Sequence, residues 1–563
     1  MNKTTPDLLA LQRLYHWERT SPDRITLSQP MGGGVVQDFT WAQVADQARR
    51  MAAYLQAQGW EPGSRVAILS KNCAWWLMSD LAIWMAGYVS VPLYPTLAAD
   101  TVRHILTHSE AKACFVGKLD GWAGMAPGIP EGMPCISYPL SPPDAVAAYP
   151  GWDALCASTP PMAGQPTRPE DDLATLIYTS GTTGKPKGVM HTFGNFAWAI
   201  SAGIQRIPMT QADRMLSYLP LAHVVERVLV EHGWLFTGKH LFFAESLDTF
   251  TSDVQRARPT IFFSVPRLWV KFQHGVHHKL PAPKLKLLLS LPLIGGIIRR
   301  KVLGALGLDQ CRIAAGGAAP MPVELLAWYR RLGLPINEGY GMTENLAVSH
   351  LTIPGQNQEG SVGPAYDGVQ VRIASPSGEI QMRSPALMLG YYKEPTQTSE
   401  AMTEDGWLRT GDKGHIDDHG NLHVTGRVKD LFKTSKGKYV APAPIEDRLV
   451  MHDSVEACVV TGANLGQPLG IVMLSPEETG RVHNEADRQG LEASLAAHLA
   501  RVNVGLDPHE QLQCLVVVTT AWTVDNDVIT PTFKVKRNRI EDLYAAHYER
   551  WEASGQRVIW HTA

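Results

Sequence analysis

The segment Tyr178-Thr-Ser-Gly-Thr-Thr-Gly-Lys-Pro-Lys-Gly188 brings together the residue types that bind phosphate. Gly181 and Gly184 let the backbone curl with its N–H groups turned inward, Thr179, Ser180, Thr182 and Thr183 add hydroxyl donors, and Lys185 and Lys187 supply positive charge. Such a cradle suits a polyphosphate. It is not a Walker A loop, because Lys185 is followed by Pro186 and not by Ser or Thr. Nor is Ser180 a nucleophile elbow, since the G-x-S-x-G frame is absent.

Further segments follow in order: Leu219-Pro-Leu-Ala-His223-Val-Val-Glu226, Gly316-Gly-Ala-Ala-Pro320, Glu338-Gly-Tyr-Gly-Met-Thr-Glu344, Thr410-Gly-Asp412 and Gly426-Arg-Val-Lys-Asp430. With the phosphate loop they form a collinear series that resembles the adenylate-forming family of acyl-CoA synthetases, luciferases and peptide-synthetase adenylation domains. Within that family Ser264–Trp269, Asp430–Ser435, Lys438–Pro442 and Thr530–Arg537 are similar to segments of long-chain fatty acyl-CoA ligases.

The resemblance implies ATP, Mg2+ and CoA as cofactor and co-substrates, with a fatty acid as the acid activated. It assigns catalysis to Lys534, His223 and Thr343. It assigns nucleotide and CoA binding to Thr179, Ser180, Gly181, Thr182, Thr183, Gly184, Lys187, Gly317, Ala318, Glu338, Gly339, Tyr340, Asp412, Arg427, Lys429 and Lys433, and the metal to Glu344 with Thr179. Joining a carboxylate to a nucleotide brings two anions together, so the site must neutralise charge developing at the α-phosphate. Motif alignment gives that task to Lys534, although Phe533 stands where the family commonly has Gly and Lys536 is a neighbouring choice. A hard cation prefers oxygen ligands, which suits Glu344; its other reading is a helix cap. By resemblance, Asp412 accepts hydrogen bonds from the ribose hydroxyls, Arg427 supports ribose or phosphate, and Tyr340 stacks on adenine opposite Gly317 and Ala318. His223, Val265, Pro266 and Gly316 are candidates for the acyl entrance. Lys429 aligns with a hinge, about which the small domain would withdraw Lys534 and bring the Lys433–Lys438 region to a thioester-forming tunnel.

The elements that must hold these residues read as α/β. A helix is expected from Trp41 to Gln58, a strand at Arg65–Leu69, a buried helix after Asn72, and strands at Tyr88–Pro92 and Ala174–Tyr178; such alternation argues for parallel strands with crossover helices. The Pro/Gly-rich interval Gly124–Pro169 reads as a surface connection. Val369–Ile373, Glu379–Met382 and Leu422–Val424 suggest a small β subdomain. Strands at Ala457–Thr461 and Leu515–Thr519, with helices near Gly490–Val502 and Ile540–Ala553, suggest a small, mobile α+β C-terminal domain. The expected division is 1–428 for the large domain and 429–563 for the lid that carries Lys534.

Composition narrows the function classes. Of 563 residues 45% are hydrophobic, and Lys+Arg 51 against Asp+Glu 54 gives −3, which leaves no electrostatic footprint for nucleic acid. Seven scattered cysteines without a C-x-x-C pair suit a reducing, cytoplasmic setting, and the N-terminus has no signal-peptide core. His104 and His108 have i,i+4 spacing but no third ligand, so a wet helix face is expected there. The stretch Leu285–Ile298, flanked by Lys284 and Arg299–Lys301, reads either as a helical pair packed on the body or as a peripheral membrane-surface contact spanning Leu285 to Lys301. The expected activity is ATP-dependent conversion of a fatty acid through acyl-AMP to acyl-CoA. The rivals are an acyl-AMP ligase that loads a carrier protein or takes another acid, and a non-catalytic acyl or nucleotide sensor.

Overall fold

The computed structural model describes residues 9–561 apart from 180–184, 293, 354, 357–359, 525 and 531–533. A seven-stranded sheet forms the first layer, in the order Gly390–Tyr391, Lys187–Thr192, Leu173–Thr179, Val89–Leu93, Arg65–Leu69, Ala111–Val116, Cys135–Ser137. The last five strands are parallel, and the first two add antiparallel pairing at one edge. Both faces are covered, which is why Val89–Leu93 is buried at every position.

Local signals set the helix starts. Thr40 caps Trp41–Gln56 reciprocally with Gln43, and this helix ends two residues before the expected Gln58. Ala74–Met85 is buried along all its length, so it shows no polar face. The charge inside it, Asp80, is met by Arg227 Nη1 at 2.8 Å, and Arg227 Nε meets Glu231 at 3.0 Å. Such a buried set is retained only with its partners in place.

The interval 124–169 is not merely a surface connection. Cys135–Ser137 extends the main sheet, and Tyr138 and Trp152 are buried beside Phe115 with ring centroids 5.9 Å away in each case. Three residues of strand among prolines and glycines are too few to show a period.

A second sheet runs Val35–Thr40, Ile25–Gly32, His240–Phe243, Arg214–Ser217, and a third runs Ile261–Ser264, Ile313–Gly316, Ile336–Tyr340, His350–Leu351. The β subdomain is an antiparallel meander of Gln370–Ala374, Glu379–Arg383, Leu408–Ile416 and Leu422–Arg427. Beyond it, Val455–Thr461, Leu469–Leu474, Leu515–Val518 and Val558–His561 make the mixed sheet of the α+β C-terminal unit. Its helix starts earlier than expected, at Glu485, where Asn484 caps it; the Ile540–Ala553 helix is broken by a tight turn at 545–547.

The apolar stretch 285–298 folds into two short helices, Ala282–Ser290 and Ile294–Ala305. Among the described residues no helix is long and apolar enough to cross a membrane. All seven cysteines are free thiols. His104 and His108 stack with ring centroids 5.5 Å apart, and no cluster of three or more metal-ligating side chains occurs among the described residues.

Candidate active site

The third sheet ends at the site. Ser264 and Gly316 end two neighbouring parallel strands and are in register with each other and with Glu338 of the third, near the carboxyl side where open α/β sheets leave a crevice. Val265 and Pro266 follow Ser264 into the helix Pro266–Lys279, and a side chain on Gly316 would meet Met321 Sδ at 3.1 Å. Gly317 lies flat against Gly339, whose carbonyl oxygen would stand 2.8 Å from an added Cβ. Ala318 has φ +68°, the left-handed region that costs a side-chain-bearing residue strain, and such outliers cluster at binding sites. Thus Gly317, Ala318, Gly339 and Tyr340 share one wall.

Tyr340 closes that wall. Its Oη donates to Asp412 Oδ2 at 2.6 Å, and Arg427 Nε meets Asp412 Oδ1 at 3.2 Å. Asp412 and Arg427 face each other across the meander, in register on antiparallel strands. Burial, and then the adjacent Asp412 charge, push the Tyr340 hydroxyl well above its ordinary pKa.

At the other end, Thr179 and Lys187 are register partners on the two strands flanking 180–184, so Ser180, Gly181, Thr182, Thr183 and Gly184 lie outside the described residues. Lys187 Nζ sits 4.9 Å from the centroid of the Tyr391 ring, and Tyr391 Oη donates to Glu344 Oε1 at 2.7 Å. Glu344 belongs to the short turn Thr343–Asn345, and no α-helix follows it there. Its carboxylate is held by Tyr391, whose ring also carries Lys187. The Thr343 carbonyl accepts from His191 Nε2 at 2.7 Å, which fixes the turn from beneath.

Lys534 arrives from the C-terminal unit. Thr530 N donates to Lys534 O at 2.8 Å and Lys534 N to Thr530 Oγ1 at 3.0 Å. The side chain is exposed, yet crowding and then Arg427 lower its pKa, while Asp412 raises it. His223 feels it too: burial, and then the Lys534 charge, bring the imidazole down to about 4, so it is neutral at pH 7. Lys536 is paired with Asp527 instead. Lys534 thus lies within electrostatic reach of Arg427, Asp412 and His223, whereas Lys536 is held by Asp527.

The loop before His223 is stapled from a distance. Asn72 Nδ2 donates to Leu219 O at 2.6 Å, Asn72 Oδ1 accepts from Leu221 N at 3.0 Å, and Glu226 Oε1 collects Asn72, Ser217 and the Tyr218 amide at 3.1, 2.9 and 3.0 Å. Burial pushes the Glu226 carboxyl up to about 8. The backbone from Glu226 to His232 is wound as a π-helix, a form often found at functional sites.

Two expected residues are not gathered here. Lys429 is exposed in the turn after Arg427. Lys433 sits on an exposed hairpin with Nζ 5.1 Å from the Tyr439 ring, its backbone tied to Asn464 of its own unit. The units meet instead through an Arg267–Glu456 ion pair and His274 Nε2–Asp453 Oδ1 at 2.9 Å. Asp447 of the small unit lies near Glu338. Burial, followed by the charges of Glu446 and Glu338, raises Asp447 to about 8, and burial raises Glu338 to about 8. Sequence reading missed Asn72, His191, Tyr391 and Asp447. Asn72 alone carried a signal, a polar residue directly before a wholly apolar helix.

Comparison with known proteins gives matches over nearly the whole chain. Residues 14–392 match the family model described as AMP-binding enzyme, and residues 429–552 match the AMP-binding enzyme C-terminal domain. The chain is 30% identical to the long-chain-fatty-acid–CoA ligase FadD15 of Mycobacterium bovis, covering 95% of this chain and 96% of the relative. It is 29% identical to the peroxisomal long chain acyl-CoA synthetase 6 of Arabidopsis thaliana, covering 91% of this chain and 81% of the relative. Among solved structures, the A domain of carboxylic acid reductase from Segniliparus rugosus, in complex with AMP and a co-purified carboxylic acid, superposes with a TM-score of 0.80 at 22% identity, covering 98% of this chain and 95% of that one.

Proposed function

The chain belongs to the AMP-binding enzyme family, and on that premise we propose that it is an AMP-forming ligase that converts a long-chain fatty acid through acyl-AMP to acyl-CoA. In the first half-reaction a carboxylate oxygen attacks the α-phosphorus of ATP and the bond to the bridging oxygen breaks, releasing pyrophosphate. In the second, the CoA sulfur attacks the acyl carbon, the acyl–phosphate bond breaks, and AMP leaves.

What supports this reading is that the charge of Lys534, from the small unit, is felt at His223 of the large one and that Arg427 and Asp412 of the large unit in turn shift Lys534. A lysine there neutralises charge building on the α-phosphate without prior reorganisation, the usual source of the largest rate term. Tyr340 and Asp412 orient adenosine, with the ring on adenine and the carboxylate on the ribose hydroxyls. Arg427 holds Asp412 and faces the same nucleotide. A neutral His223 beside the acyl entrance admits the carboxylate without adding a second fixed cation. Val265, Pro266 and Gly316 border the acyl path at the strand ends.

Glu344 and Thr179 fit a hard divalent cation, since both offer oxygen and Mg2+ keeps most of its ligands as water and substrate phosphate. When bound, that ion would shield the phosphate oxygens. We place the domain boundary at 428/429. Rotation about Lys429 would withdraw Lys534 and bring the exposed Lys433–Lys438 hairpin toward the acyl-adenylate, opening a path for the thiol.

The test is to incubate the protein with ATP, Mg2+ and a series of carboxylic acids, with and without CoA, and to resolve the products by mass spectrometry. Long-chain acids should give acyl-AMP alone and acyl-CoA when CoA is present. Acyl-AMP that CoA fails to discharge, or turnover confined to aryl acids, would contradict the proposal.

A further inference from the structure

Lys239 is wholly buried, neither half-reaction above uses it, and among the described residues it makes no salt bridge. An ammonium buried without a carboxylate against it is costly, so the contacts that it does make point to its task. It follows Gly238, whose left-handed φ of +69° ends the helical run 226–237, and its side chain turns back to that run and donates to Leu229 O. Met209 Sδ and Met215 Sδ lie 3.8 and 3.4 Å from the same nitrogen.

Leu229 O is the carbonyl that the π winding of Glu226–His232 sets aside. In an α-helix it would accept from Gly233 N–H, four residues on; here that N–H divides between Val228 O and Val230 O, five and three residues back. Lys239 Nζ takes the bypassed acceptor with a charge-assisted hydrogen bond. Gly233 makes room for it, because a Cβ there would stand 2.6 Å from Lys239 Nζ. Beyond the turn the helix is fixed: Trp234 stacks on Trp41 with ring centroids 4.6 Å apart, and its indole N–H donates to Thr26 Oγ1 at 2.5 Å. Rewinding 226–232 as an α-helix would therefore rotate what precedes the turn, by about 100° for one residue of helix.

What precedes the turn is His223. Arg227 N donates to His223 O at 3.1 Å, so His223 opens the same helical run, and Val225 N donates to His223 Nδ1 at 3.3 Å, which leaves the ring proton on Nε2. We propose that Lys239 is a positioning residue for the acid: its buried ammonium holds 226–232 in the π form, and that form sets the angle at which His223 meets the incoming carboxylate. The proposal rests on the acyl reading of His223 given above and extends it to a residue that acts only through another.

The titratable groups that face Lys239 are Asp213, itself paired with Arg312, and Glu226 of the π turn, whose own carboxyl is pushed up to about 8. Both favour the charged amine, but burial outweighs them and brings it down to about 7. As pH rises through that value the bond to Leu229 O loses its charge assistance and the hold on the turn weakens.

The test pairs Lys239→Met, a neutral side chain for a place already walled by two methionines, with Gly233→Ala, which sets a methyl where the ammonium stands and leaves the charge in the chain. With whichever acid the wild type activates, both variants should raise KM for the acid roughly tenfold, the loss of one charge-assisted hydrogen bond, and leave KM for ATP and the discharge of synthetic acyl-AMP to CoA within about twofold. Wild-type KM for the acid should rise between about pH 6 and 8, and Lys239→Met should abolish that rise. Amide hydrogen exchange read by mass spectrometry should quicken across 226–233 in both variants and keep its wild-type rate in the buried helix Ala74–Met85. A KM for ATP that rises as much as that for the acid, a loss confined to kcat, or a pH dependence that persists in Lys239→Met would overturn the proposal. A wild type that forms acyl-AMP from no acid would overturn the ligase reading, whereas wild-type exchange across 226–233 in Lys239→Met would overturn the role of Lys239 alone.

Discussion

Tyr340 Oη and Asp412 Oδ2 are 2.6 Å apart, which ties the end of a strand in the third sheet to the middle of the β meander. Removing the hydroxyl while keeping the ring separates its anchoring from its stacking role. Tyr340→Phe should raise KM for ATP roughly tenfold or more, the loss expected for one hydrogen bond to a charged group, with little change in KM for the acid. Steady-state pyrophosphate release measures both. A shift confined to the acid would place Tyr340 elsewhere in the mechanism.

Asn72 serves the catalytic loop without reaching the substrate. Asn72→Ala strands the Leu221 amide, the Leu219 carbonyl and part of the Glu226 shell in a buried place, so unfolding should become easier by about 2–4 kcal/mol. Turnover should fall with it because His223 is carried on that loop. Chemical denaturation reads the first effect, and unchanged stability would show that the contacts are dispensable.

Glu226 makes a pH-dependent contribution whose sign follows from its raised carboxyl. The folded form holds a proton that the unfolded chain, with the ordinary value of 4.5, releases earlier. Its stabilisation is thus complete below about 4.5 and is lost as pH rises through about 8. Glu226→Gln should flatten this part of the stability profile between those limits. Parallel profiles for the two proteins would contradict the assignment.

The contact between units should also respond to pH. Asp447 and Glu338 titrate near 8 in this arrangement through burial and, for Asp447, the charges of Glu446 and Glu338, so ionising both favours separation. Adenylation should weaken above about pH 8, and Asp447→Asn should retain more of it there than wild type does. Glu456→Ala, which cuts the partly exposed pair with Arg267, should slow adenylation only about two- to fivefold at any pH. Single-turnover acyl-AMP formation across pH distinguishes the two, and identical pH profiles for wild type and Asp447→Asn would exclude the carboxyl contact.

Much of this architecture could be read beforehand where chemistry is local. The Thr40–Gln43 cap, the strand Arg65–Leu69 and the apolar run of Ala74–Met85 follow from adjacent residues. Lys534, Glu344 and Asp412 stood out because their motifs are contiguous in sequence. Asn72 did not, since its partners Leu219, Leu221 and Glu226 lie about 150 residues away and only the crossing of two sheets joins them. Tyr391 was hidden for the same reason: its hydroxyl finds Glu344 because the two-residue strand Gly390–Tyr391 adds to the edge of the main sheet. The strand Cys135–Ser137 escaped because three residues cannot display alternation, and what secures it is the buried Trp152 brought back by a later turn.

In the proposed reaction Lys534 serves acyl-AMP formation and not thioester formation. The direct measurement is single-turnover kinetics of Lys534→Ala in two arms, acid plus ATP without CoA, and synthetic acyl-AMP plus CoA, with Lys536→Ala alongside. The expected result is a loss of roughly 100- to 1000-fold in the first arm, little change in the second, and near wild-type rates for Lys536→Ala. Equal losses in both arms, or a larger defect from Lys536→Ala than from Lys534→Ala, would contradict it.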